Sequence, residues 1–175
     1  FNGNSLKFFR REIASLADNF PCFVKFIGVT ENPYCIIMEY MPNGSLGNHV
    51  HQLTPLLKTM TAYDIARGMG FLHSKGIIHR DLKSFNILFD SDFHAHISDL
   101  GFSRMLSSDN LLTKRIGTVQ WMAPELFQNN VSYDSKIDVY SYGILLWELV
   151  TEKRPYENMQ LKKITENVNK NKRPD

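Results

Sequence analysis

The apolar positions change period several times along the chain. From Asn4 to Asn19, Leu6, Phe9, Ile13, Leu16 and Ala17 recur at three- and four-residue steps. That is the stripe of an amphipathic helix, and Asn19 and Pro21 stop it. Phe23 to Val29 and Tyr34 to Tyr40 are apolar runs rich in β-branched and aromatic residues, split by Glu31-Asn32-Pro33. They predict two antiparallel strands and a turn. Met41-Pro42-Asn43-Gly44-Ser45 predicts a loop. Leu56 to Ser74, with Leu57, Met60, Ala62, Ile65, Ala66, Met69 and Leu72, predicts a long, largely buried helix that Gly76 ends.

Further on, Ile87-Leu88-Phe89 and Ala95-His96-Ile97 predict two short strands set among densely packed polar residues. Residues 103–118 are polar and hydroxyl-rich and predict an exposed, mobile segment carrying phosphorylatable Ser103, Ser107, Ser108 and Thr113. Asp138 to Leu149 is hydrophobic on nearly all sides and predicts a central buried helix. Leu161 to Val168 predicts one more short helix.

With 175 residues, one domain is expected. An apolar fraction of 43% excludes a disordered or low-complexity chain. The 20 Lys and Arg nearly cancel against 18 Asp and Glu, which argues against a dedicated nucleic-acid partner. Cys22 and Cys35 have no CxxC spacing and fit a reduced, cytoplasmic compartment. Phe1 opens no signal-peptide pattern, and the longest apolar run, Tyr142 to Trp147, is far below the ~20 residues of a membrane span. No membrane segment is therefore expected within the chain. Both ends predict a piece of a longer protein. His49-Val50-His51 and His94-Ala95-His96 have H-x-H spacing, but no third ligand is placed to complete a metal site.

Candidate chemistry concentrates in His79-Arg80-Asp81-Leu82-Lys83-Ser84-Phe85-Asn86. Asp81 can accept a proton or orient a hydroxyl. Lys83 can neutralise a phosphate. Asn86 offers a neutral oxygen to a hard cation, and Asp99 offers a carboxylate, the preferred ligand type for Mg²⁺. One Asp, one Asn and a Lys at one pocket match the needs of ATP-dependent phosphoryl transfer.

These residues resemble the eukaryotic protein-kinase family. His79-Arg80-Asp81-Leu82-Lys83-x-x-Asn86 looks like its catalytic loop, and Asp99-Leu100-Gly101 sits where the family has Asp-Phe-Gly. Ala123-Pro124-Glu125 looks like the end of the activation segment, and Asp138-Val139-Tyr140-Ser141-Tyr142-Gly143 like the start of the central helix. The resemblance covers essentially the whole chain. It implies an α+β, protein-kinase-like fold: mainly the α-helical C-lobe, plus the αC helix and the last strands of the N-lobe. Residues 1–40 would be the remnant of the N-lobe and the hinge, and 41–175 a C-lobe without its last helices.

The resemblance also implies roles. Asp81 is the expected catalytic base, Lys83 meets the transferred phosphate, and Asn86 and Asp99 hold Mg²⁺. Arg80 pairs with a phosphate on the activation segment, where Thr113 lies. Glu12 is the helix glutamate that pairs with a nucleotide-binding lysine. Leu16, Leu100 and His79 stack as an internal spine. Met38 is the gatekeeper, and Glu39-Tyr40-Met41 is the hinge that bonds adenine through its backbone. Ser45 lies near the ribose, and Leu88 under the adenine ring. Thr118 bridges Asp81 and Lys83. That bridge and Lys83 follow the Ser/Thr-kinase pattern, whereas Trp121-Met122-Ala123-Pro124-Glu125 and Tyr140 to Glu148 look closer to tyrosine kinases. The mixture is similar to the tyrosine-kinase-like group, which mostly phosphorylates Ser and Thr. The implied cofactors are ATP and Mg²⁺, the implied partner is a protein substrate, and the implied location is the cytoplasm or the cytoplasmic side of a membrane.

The 175 residues depart from the family in one region. They contain no G-x-G-x-x-G; Gly68-Met69-Gly70 lies inside a helix pattern. They contain no V-A-x-K strand, and Lys7 shares a helix with Glu12. The family arginine that pairs with Glu125 is not Arg173, which belongs to an Arg-Pro turn. This stretch alone is therefore expected to be inactive or nearly so. A pseudokinase scaffold that binds protein partners is the alternative.

Overall fold

The computed structural model describes residues 20–100, 103–105, 118–128 and 133–175. The helix expected over 4–19, with Glu12 and Leu16, lies outside the described residues, as do Ser107, Ser108 and Thr113.

Strands β1 (Phe26–Glu31) and β2 (Tyr34–Met38) form an antiparallel ribbon, with Thr30 opposite Cys35 and Phe26 opposite Met38. The ribbon was expected, but its first strand starts later than Phe23. The reason is packing. Phe23 is buried against the Phe71 ring and bridges Ile97 in parallel. The amide of Val24 donates to Ile97, and the amide of Ile97 to Cys22.

After the Met41–Ser45 loop come the short helix α1 (Leu46–His49), a 3-10 turn (Val50–Gln52) and the long helix α2 (Pro55–Ser74). Thr54 caps α2 by accepting the Leu57 amide at 3.3 Å, and Pro55 fills the first turn, where no amide is needed. Gly76, at φ 70, ends it. Burial of α2 is confined to one face: Thr61, Ile65, Gly68, Met69 and Leu72. Leu56 and Tyr63 are exposed, so this helix is less enclosed than its composition suggested. Gly68 permits close contact, since a Cβ there would meet Ile97 Cδ1 at 2.6 Å.

Beyond α2 run β3 (Ile77–Ile78), a 3-10 turn (Ser84–Asn86), β4 (Ile87–Phe89), β5 (Ala95–Ile97) and β6 (Arg104–Met105). β4 and β5 pair antiparallel, Ile87 opposite Ile97. β3 pairs antiparallel with β6, Ile78 opposite Arg104. This second pair corrects the expectation of an exposed 103–118 segment at its start: Ser103 is buried and the next two residues are strand. Two 3-10 turns (Val119–Trp121 and Pro124–Phe127) lead to α3 (Lys136–Thr151) and α4 (Leu161–Asn169).

Helix α3 buries Ile137, Ile144, Leu145 and Leu149, yet Val139 and Val150 are exposed. It is a helix with one buried side rather than one enclosed all round. The main core joins Leu46, Ile65, Leu72, Leu82, Ile87, Phe89, Ile97, Trp121 and Leu145. Each such side chain contributes roughly 1.5–3 kcal/mol by leaving water. The core lies directly beneath the β4–β5 hairpin and the segment that precedes it. Among the described residues, no helix is long and apolar enough to cross a membrane.

Candidate active site

The β4–β5 hairpin sets the first distance that matters. Because Ile87 faces Ile97, Asn86 and Ser98 flank the same end of the ladder. The Ser98 amide and hydroxyl both donate to the Asn86 carbonyl, at 2.8 and 3.0 Å. Asp99 follows at once, with a left-handed backbone (φ 58) and an exposed residue surface. Two residues far apart in sequence thereby meet at one edge.

The loop between β3 and β4 is held from below. Asp138, in the first turn of α3 and 1% exposed, accepts the amides of His79 and Arg80, each at 2.9 Å. It also bonds the His73 ring of α2 at 2.8 Å. Arg80 adopts φ 75, a conformation that costs on the order of 1–3 kcal/mol for a residue with a side chain. The charge-assisted bonds to Asp138 offset it. The buried His79 ring completes the support, bonding the Ser98 carbonyl at 3.0 Å.

Asp81 stands at the centre of this frame, 5% exposed. Its Oδ1 accepts the amide and the hydroxyl of Thr118, both at 2.9 Å. Its Oδ2 accepts Lys83 Nζ at 2.6 Å and Asn86 Nδ2 at 3.2 Å. Lys83 Nζ also donates to Thr118 Oγ1 at 2.9 Å. The carboxylate is therefore oriented by four donors, with an ammonium beside it. A hydroxyl brought to Oδ2 would meet a proton acceptor and, next to it, a cation able to hold an anionic group.

The donor set fits a magnesium ion. Asn86 spends its Nδ2 on the carbonyl and Oδ2 of Asp81, at 2.8 and 3.2 Å. That leaves its Oδ1, a hard neutral oxygen, to serve a cation. Asp99 adds a carboxylate from the neighbouring turn. Mg²⁺ binds through one or two such groups together with phosphate oxygens. Among the described residues, no group of three His, Cys, Asp or Glu forms a self-sufficient metal cage.

Of the expected nucleotide residues, Ser45 and Leu88 are brought together. Ser45 and Leu88 form an antiparallel bridge, and the Phe89 amide donates to Gly44 at 2.9 Å. Met38 ends β2 with its side chain partly exposed. The Glu39 amide is tied to the Lys25 carbonyl at 2.9 Å. Met41 is buried, and Tyr40 between them is 84% exposed. Leu100 packs against the main core. Arg80 has its guanidinium 6.0 Å from the Tyr133 ring. Glu125 sits in the second 3-10 turn with no ion pair among the described residues, while Arg173 lies over the Tyr140 ring at 5.0 Å and donates to the Val168 carbonyl. Glu12 and Thr113 lie outside the described residues.

Three functional groups escape a reading of the sequence alone. Asp138 marks the start of a helix there, but nothing in the sequence shows that it carries the backbone of residues 79–80. Glu148 reads as an ordinary helix position. In the structure it is 2% exposed, accepting Ser84 Oγ at 2.9 Å and Trp121 Nε1 at 2.8 Å. Ser84, an unnamed position in the loop pattern, proves to be its partner. The available signal was a charged residue inside an apolar helix, which is rarely buried without partners.

Comparison with known proteins agrees with this geometry. The family model described as protein tyrosine and serine/threonine kinase matches residues 3–175. The chain is 44% identical over 142 residues to serine/threonine-protein kinase STY46 of Arabidopsis thaliana, covering 78% of this chain and 24% of that one. It is 41% identical over 159 residues to serine/threonine/tyrosine-protein kinase HT1 of the same plant, covering 86% and 40%. It is 41% identical over 164 residues to serine/threonine-protein kinase TNNI3K of Mus musculus, covering 87% and 20%. The chain thus spans well under half the length of these relatives.

Proposed function

The chain belongs to the protein tyrosine and serine/threonine kinase family, and on that premise we propose that the protein containing it transfers the γ-phosphate of ATP to serine and threonine hydroxyls of other proteins. The observation that carries this reading is the closed set of bonds among Asp81, Lys83 and Thr118. Asp81 Oδ2 takes the proton of the attacking hydroxyl. Lys83 swings from Asp81 to the transferred phosphoryl group, which has lost its bond to the leaving diphosphate. Asn86 and Asp99 hold Mg²⁺, and bound ATP supplies the phosphoryl group. The hinge at residues 39–41 and the Ser45–Leu88 bridge receive the nucleoside.

Serine and threonine, rather than tyrosine, are favoured because Lys83 and Thr118, both bonded to Asp81, follow the Ser/Thr-kinase pattern. A cytoplasmic setting, with its ATP supply and free thiols, belongs to the same reading. The 175 residues carry no Gly-rich loop and no strand lysine, so the α- and β-phosphates have fewer positioning contacts. Transfer by this stretch alone is accordingly weak, because such catalysis is mainly positioning and electrostatics. A scaffold that only binds partners has no need for Asp81, Asn86 and Asp99 in this arrangement.

The test is transfer of label from γ-labelled ATP to a mixed protein substrate, followed by phosphoamino-acid analysis. It is run on this chain and on a natural longer form that contains it. Label on serine and threonine that disappears with Asp81→Asn supports the proposal. Label mainly on tyrosine, or label that survives Asp81→Asn, overturns it.

A further inference from the structure

Glu148 is the buried acid for which the phosphoryl-transfer reading has no use. It projects from the last turns of α3 between two segments that the reaction needs in register. Its Oε1 accepts the hydroxyl of Ser84, in the catalytic loop between Lys83 and Asn86. Its Oε2 accepts the indole of Trp121, three residues after Thr118. Ser141, two turns earlier on α3, donates to the Trp121 carbonyl at 2.8 Å. Helix α3 therefore grips Trp121 at both its side chain and its backbone, and the same carboxylate grips the catalytic loop.

The two donors are chemically unequal. An indole N–H can only donate, whereas a serine hydroxyl can donate or accept. When Glu148 gains a proton, its O–H cannot face Trp121. It must face Ser84, and the Ser84 hydroxyl must then turn from donor to acceptor. Ser84 is 1% exposed, and among the described residues its Oγ has no other hydrogen-bond partner, so its displaced hydrogen enters a closed space.

We propose that Glu148 is a proton-responsive positioning residue: ionised, it joins the catalytic loop to the segment at Thr118–Trp121, and on protonation it reverses the Ser84 bond and shifts the two segments relative to each other. The proposal rests on the catalytic-loop assignment made above.

Burial pushes the Glu148 carboxyl up to about 7, against the opposing pull of the two donated bonds and of the Arg154 charge. The exchange therefore falls near neutral pH. The groups that face Glu148 are identifiable element by element. The 3-10 turn at Ser84–Asn86 contributes the Ser84 hydroxyl, and the turn at Val119–Trp121 contributes the uncharged indole. The segment after α3 contributes Arg154, whose guanidinium lies 5.3 Å from the Phe85 ring and favours the carboxylate.

Substitution by glutamine gives a fixed copy of the protonated state. Its carbonyl accepts Trp121 and its NH₂ donates to Ser84, as the neutral acid would. The test is a pH titration of the whole ¹⁵N-labelled chain from 5.5 to 8.5. It follows the Trp121 indole N–H and the Thr118 amide, the latter donated to Asp81. Neither signal requires turnover, so a failure here is separate from a failure of the kinase reading.

In the natural sequence both signals should move with one midpoint within about a unit of pH 7, ending at low pH where Glu148→Gln lies at every pH. Ser84→Ala should leave the Trp121 titration in place and abolish that of Thr118. Flat signals in the natural sequence overturn the proposal, whether or not the variants fold. So does a titration that persists in Glu148→Gln, or one confined to Trp121 while Thr118 stays still.

Discussion

Thr118 binds one oxygen of Asp81 twice, through its amide and through its hydroxyl, each at 2.9 Å. The two residues belong to segments separated by the span 82–117. The second bond depends on the side chain, so a substitution can remove it and keep the first. Thr118→Ala should lower phosphoryl transfer about 10- to 100-fold in a form with measurable activity, because Asp81 and Lys83 lose a shared partner. Thr118→Ser should restore most of it. The check is kcat at saturating ATP, with little change in thermal stability.

Glu148 makes stability depend on pH with a definite sign. Its folded pKa of about 7 lies above the ordinary 4.5. The folded chain therefore holds more protons than the unfolded chain between these values. The group's favourable contribution is complete below about pH 4.5 and is lost as pH rises through about 7, a change of about 3 kcal/mol. Urea unfolding at pH 5 and pH 8 should show Glu148→Gln gaining on the natural sequence by about that amount. An unchanged difference between the two pH values contradicts the assignment.

Asp138→Ala removes three charge-assisted bonds from a site that is 1% exposed, and leaves the amides of His79 and Arg80 unpaired. A loss of about 3–5 kcal/mol is expected. For a domain of this size it should lower Tm by about 10 °C. Calorimetry checks this directly.

Two glycines of one helix should respond in opposite directions. At Gly68 an added Cβ meets Ile97 Cδ1 at 2.6 Å and Cys22 Cβ at 3.1 Å, so Gly68→Ala should destabilise by about 1–3 kcal/mol. Gly70 has nothing within 4 Å of the new atom, and Gly70→Ala should stabilise by up to about 1 kcal/mol. Denaturation midpoints of the two variants give the comparison.

Asp99→Asn leaves the backbone and the Asn86 contacts in place but removes the one carboxylate of the magnesium donor set. Magnesium-dependent nucleotide binding should weaken about tenfold or more, while magnesium-free binding stays nearly constant. Calorimetric titration with and without the cation separates the two.

Much of this was legible in the sequence, for reasons particular residues make plain. The 87–89 and 95–97 strands have the expected bounds, since each is a short apolar run set between polar turns. The bridge from Thr118 to Asp81 and Lys83 followed from the family pattern, and the structure contains it. Other features failed to show. Phe23 has a strand's composition, but its ring is taken by Phe71. Arg104 and Met105 sit in a polar stretch and become strand only because Ile77 and Ile78 lie alongside. Val139 and Val150 look like core, yet face outward, because α3 has more apolar residues than buried positions.

By itself the sequence determined the kinds of chemistry available, their order along the chain and the local elements that carry them. These depend on residue type and short-range periodicity. Only the tertiary structure decided which polar groups became buried partners. Asp138 and Glu148 sit on one helix, yet one supports the turn at His79 and Arg80 while the other joins Ser84 to Trp121. A buried charge acquires its role from the donors that folding places around it, and those donors come from segments far apart in the chain.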